Sequence, residues 1–155
     1  MTKSRKSFAI IMLTAACVLV VLLLTGPALA RFASGSAVLK EPVYWHVMGK
    51  DAHMSLRIRQ EKGVKQALRL DVWLPAGLGE PGSAAVSLQR GGETSEVPLH
   101  YVEGGPDPYG FEGFDKYTYE SAGRFINESG PWLLKVDVTD SADGTYSYEK
   151  EENIP

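Results

Sequence analysis

The sequence predicts an all-β protein, an antiparallel sandwich of about seven to eight strands carried behind an N-terminal signal or transmembrane helix. Three observations support that expectation. Beyond residue 30 the apolar residues alternate with a period of two, turn-forming Gly, Pro, Asp and Asn recur between the alternating runs, and no stretch shows a helical stripe.

Residues 1–30 read as an export segment. Lys3, Arg5 and Lys6 precede an uncharged run from Phe8 to Leu24, Gly26 and Pro27 break it, and Ala28-Leu29-Ala30 offers a small-x-small cleavage signature. The basic end marks the cytoplasmic side, so everything after Arg31 is expected outside the membrane. The apolar run lies between the length of a cleavable core and that of a spanning helix, so removal and retention as an anchor through residues 8–30 both stay open. Cys17 sits within the apolar run and reads as a filler residue there.

The remainder of the chain is long enough for one domain, with the sandwich expected over 31–148 and a flexible charged tail over 149–155. Removing the three bases of the leader leaves thirteen Lys and Arg against nineteen Asp and Glu. That acidic balance argues against nucleic acid as a partner, because such binding rests on neutralising phosphates. With no cysteine after Cys17, the domain has no disulfide, thiolate metal site or Cys nucleophile, and packing must hold it together.

The elements can be taken in order. Met54, Leu56 and Ile58 alternate with polar neighbours, Glu61-Lys62-Gly63 turns the chain, and Leu68, Leu70, Val72 and Leu74 alternate in the next strand. Val86 and Leu88 lead through Arg90-Gly91-Gly92-Glu93 to Val97, Leu99 and Tyr101, a hairpin whose second strand Pro98 marks as an edge. Glu103 to Gly113 is too rich in Gly and Pro for regular structure and is expected as a long exposed loop. Tyr117 and Tyr119 begin another strand. Trp132, Leu134, Val136 and Val138 come after Gly130-Pro131, and Asp140 to Gly144 turns the chain into Tyr146 and Tyr148.

The closing run Gly130-Pro131-Trp132-Leu133-Leu134-Lys135-Val136-Asp137-Val138, together with the N-terminal membrane segment and short extracytoplasmic β-domain, resembles the YtkA-like and FixH-like bacterial domains. The resemblance implies an immunoglobulin-like sandwich. It also implies an association with respiratory-oxidase assembly and copper handling, and it carries no functional residues over to this chain.

Two stretches concentrate chemistry. Between Trp45 and Met54 lie two of the three histidines; with Gly49-Lys50 as a two-residue turn, His46 would face His53 and Met48 would face Asp51. Two imidazoles and a thioether suit copper, and the soft Met48 favours Cu(I), with Asp51 beside the set. The bland alternative is a polar hairpin surface. The second stretch is the loop with Asp107, Tyr109, Phe111 and Phe114, which either offers a partner contact or folds back to cover an open end of the sandwich. Asp137, Asp140 and Asp143 read as turn residues, because their spacing misses the alternating oxygens of a calcium loop.

No nucleophile elbow, His-Glu-x-x-His pair or phosphate-binding glycine loop is present, so the sequence points away from catalysis. The function expected is a noncatalytic extracytoplasmic accessory module, in copper handling or respiratory-complex assembly at the envelope. The alternative is a structural or protein-interaction sandwich without a ligand, engaging an envelope protein partner.

Overall fold

A computed structural model describes residues Leu39–Pro155; the expected export segment lies outside the described residues. Nine strands succeed one another: β1 (Val43–Met48), β2 (His53–Gln60), β3 (Gln66–Pro75), β4 (Ser83–Arg90), β5 (Glu93–Val97), β6 (His100–Pro106), β7 (Phe114–Gly123), β8 (Gly130–Thr139) and β9 (Thr145–Ile154). They form two antiparallel sheets, β1-β2-β3-β7-β6 and β5-β4-β8-β9.

Alternation decides which face each sheet buries. Leu68, Leu70, Val72 and Leu74 of β3 point inward beside Leu56 and Ile58 of β2 and Tyr117 and Tyr119 of β7, while Val86, Leu88, Leu134, Val136 and Val138 face them from the other sheet. All are nearly inaccessible to water. Each such aliphatic side chain contributes roughly 1.5–3 kcal/mol by its burial.

Polar groups close the ends. The buried Gln66 side chain accepts hydrogen bonds from the backbone N–H groups of Phe125 and Ile126 and donates to the Ile126 carbonyl at 2.7 Å, pinning the β7–β8 connection. Gly91 and Gly92 have φ of 58° and 85°, the left-handed pair that a two-residue turn between β4 and β5 requires.

Three expectations are corrected. The run from Val97 to Tyr101 is not one strand: β5 belongs to one sheet and β6 to the other, and the chain crosses between them at Pro98, which has no N–H to continue a ladder. This division makes nine strands instead of the expected seven to eight. Glu103–Pro106 is strand and not loop, because an edge tolerates the bulge between Tyr101 and Glu103, and glycine lets the backbone approach the neighbouring rings. A Cβ at Gly104 would stand 2.6 Å from the Tyr101 hydroxyl and collide with the Tyr117 ring. The tail expected over 149–155 is the second half of β9, paired with β8 as far as Ile154, which is buried. Its charges sit on a sheet edge, where Lys135 meets Glu149 at 3.8 Å and Lys150 meets Glu152 at 2.5 Å.

Candidate functional site

The β1–β2 hairpin sets the site. Its register pairs Met48 with His53 and His46 with Ser55, so His46 does not face His53 and Asp51 does not face Met48. The turn is four residues long, Gly49 to Ala52, and closes with a hydrogen bond from the Gly49 N–H to the Ala52 carbonyl at 3.0 Å. Lengthening the turn by two residues at the tip moves the pairing by two and leaves the faces unchanged. Tyr44, His46, Met48 and His53 therefore still share the outer face of the five-stranded sheet, while Trp45, Met54 and Leu56 point into the core.

A roof covers the histidines. Phe111 lies 4.4 Å from His53 and 6.4 Å from His46, ring centroid to ring centroid, and Phe114 lies 4.5 Å from His53. Trp73 is the cross-strand partner of His53 and sets its ring edge-on to both Phe111, at 5.4 Å, and His46, at 6.2 Å. The Trp73 indole N–H donates to the Asp107 carboxylate at 3.2 Å, and Lys116 lies 5.3 Å over the Trp73 ring. The loop between β6 and β7 is thereby tied down, with the Asp107 carbonyl accepting from the Gly110 N–H and the Phe111 carbonyl from the Phe114 N–H.

The two candidate stretches of the sequence are one place in the fold. Asp107, Phe111 and Phe114 fold back, as the bland reading of the loop expects, but over an outer sheet face and not over an open end. Tyr109 does not join them and stands 97 % exposed. Trp73 is the member that the sequence did not connect with the histidines, although its signal is present in the alternation of β3. Leu70, Val72 and Leu74 all point inward, so the residue between the last two must point out, to the same face as the histidines.

The environment of His53 is the chemical centre of the site. Its ring is buried, and its Nδ1 has no hydrogen-bond partner among the described residues. A buried polar atom left in that state costs about 1–3 kcal/mol. Burial holds the His53 imidazole below its ordinary value of 6.5, and the neighbouring His46 adds to the effect, so the ring is held in its neutral, electron-donating form. Met48 stands opposite, 65 % exposed.

Other candidates lie elsewhere. Asp51 is exposed in the turn; burial and the bond to Asp140 raise the Tyr146 phenol of the other sheet, and the Asp51 charge adds to them. His100 pairs with Glu120, whereas His53 lies in the row of Trp73 and Lys116, about four residues or ~13 Å along β7. The third histidine is therefore too far away to join His46 and His53 as a ligand. The Asp140 carboxylate accepts from the N–H groups of Ala142 and Gly144, both at 2.8 Å, and from the Tyr146 hydroxyl at 3.0 Å, which is the work of a turn residue. Among the described residues no three His, Cys, Asp or Glu side chains gather as a metal site, so a metal at the histidines would also need the thioether.

In comparison with known proteins, the chain matches no protein-family model, and no curated protein matches its sequence.

Proposed function

We propose that this chain is a noncatalytic, extracytoplasmic binding module that holds cuprous copper with His46, Met48 and His53. The observation that carries the reading is the Nδ1 of His53, without a hydrogen-bond partner among the described residues and buried under Phe111 and Phe114, on the residue that pairs across the hairpin with Met48. A neutral imidazole without a hydrogen bond is a ready donor. Thioether and imidazole together favour Cu(I) over harder ions, and a ring-lined setting suits a soft ion of low charge. Copper bound there would supply a transferable soft cation, while the chain's own residues orient the donors and keep water from His53.

An immunoglobulin-like topology accords with this reading. Without β1, the orders β2-β3-β7-β6 and β5-β4-β8-β9 follow the A-B-E-D and C′-C-F-G arrangement of that fold. The likeness to YtkA-like and FixH-like domains points the same way, towards an accessory role at the envelope, outside a membrane reached through residues 8–30.

The test is a Cu(I) titration of the purified chain under reducing conditions, in competition with a cuprous chelator. Binding of one equivalent that disappears in His46→Ala and His53→Ala, both still folded by circular dichroism, supports the site. Absent binding, or binding indifferent to both changes, removes it. One observation favours a second reading: Tyr109, almost fully exposed on an anchored loop, suits contact with an envelope protein and no ligand at all. A metal-free chain that loses a co-purifying partner on Tyr109→Ser would select that alternative.

A further inference from the structure

Two rows along the same outer face, strand pairing lines up Tyr44, Arg57, Arg69, Glu120 and His100 across β1, β2, β3, β7 and β6. Arg57 and Arg69 are direct cross-strand partners, a placement in which like charges are destabilising unless something negative relieves them. Arg69 has that relief, with Asp71 at 3.1 Å and Glu120 at 3.3 Å. Arg57 makes no ion pair among the described residues. Its guanidinium lies 5.6 Å over the Tyr44 ring, which orients the charge without neutralising it.

The next row supplies room. There Arg59 pairs with Ala67, which pairs with Ala122, and two methyl side chains leave the sheet bare beside the guanidinium groups. The result is a hollow of 480 Å³ between the arginines and the edge strand bearing Val102 and His100, with Glu120 also on its wall, its carboxylate turned to Arg69 and leaving Arg57 and Arg59 as the cations without a partner inside the hollow. That volume is of the size that holds small molecules. Arg59 can turn into it, because its pair with Glu61 is exposed on both sides and such pairs are weak. Guanidinium groups recognise carboxylate and phosphoryl oxygens through paired donors, and Ala67, Ala122 and the half-exposed Val102 provide apolar contact.

We infer that this hollow binds a small organic anion, one carboxylate or phosphoryl group on a compact apolar body, with Arg57 as its anchor. Binding there does not depend on metal at the histidines. Either a soluble metabolite or a lipid headgroup could present such a group.

The experiment is a nuclear magnetic resonance titration of the full chain in neutral detergent with phenyl phosphate. Amide shifts confined to Arg57, Ala67 and Ala122 are expected, with affinity falling roughly tenfold or more in Arg57→Ala. Ala122→Leu should fill the hollow and abolish binding while the melting temperature holds. Displacement of phenyl phosphate by deacylated phosphatidylglycerol headgroup would assign the source to lipid, and its failure would assign it to soluble anions. No shift at those amides, affinity unchanged in Arg57→Ala, or full binding in a folded Ala122→Leu variant would each overturn the inference.

Discussion

The rings of His53 and Phe111 stand 4.4 Å apart, so a residue of the β6–β7 loop roofs a residue of β2. The contact joins two stretches that look independent in the chain. It also makes the state of the histidine depend on the loop, because the roof is what removes His53 from water.

Replacing Phe111 with Ala should uncover that ring. The His53 imidazole is expected to move up towards 6.5 in a proton titration followed by nuclear magnetic resonance, with the protein losing about 1–2 kcal/mol of stability to denaturant. A His53 titration indifferent to the change would show that the roof is not the cause.

Acid should weaken the metal-free fold through the same residue. The folded state holds His53 below the unfolded value of 6.5, so the unfolded chain takes up a proton first as pH falls. Stability is therefore full above that value and declines below it, down through the depressed folded value. Denaturant midpoints measured from pH 8 to 5 should fall in the parent and fall less in His53→Phe.

Trp73→Phe keeps an aromatic ring in place and removes the N–H that reaches Asp107. A loss of about 0.5–1.5 kcal/mol is expected. Hydrogen exchange should quicken at Gly110 and Phe114, whose amides are bonded within the loop, and stay unchanged in β8.

Gln66→Leu should be among the most damaging single changes. It strands two backbone N–H groups and one carbonyl in a buried place, at about 1–3 kcal/mol for each group left unpaired. Thermal melting checks this, and a near-native midpoint would mean that the β7–β8 connection is held by something else.

Ending the chain after Tyr148 would remove half of β9, including buried Ile154, and leave the first half of β8 as a bare edge. A frayed tail could be removed without effect. Here we expect a lower melting temperature and self-association by light scattering, since an uncovered strand invites pairing.

By itself the sequence determined which residues face inward. Alternation is local, so Leu56, Leu70 and Val136 could be assigned to a core, and Tyr44, His46, Met48 and His53 to one outer face, from period alone. It could not choose between pairings two residues apart, because both keep every face. Only the four-residue turn of Gly49 to Ala52 put Met48, and not His46, opposite His53. Composition likewise misled where context decides: glycines at 104 and 105 look like loop but allow close packing on Tyr117, and charges at 149–152 look like tail but lie on an edge strand beside β8. Turn length also set Arg57 against Arg69 in the next hairpin. Tertiary structure alone brought the loop onto the histidines, since contacts between segments distant in sequence depend on how the sheets assemble and leave no periodic trace in the chain.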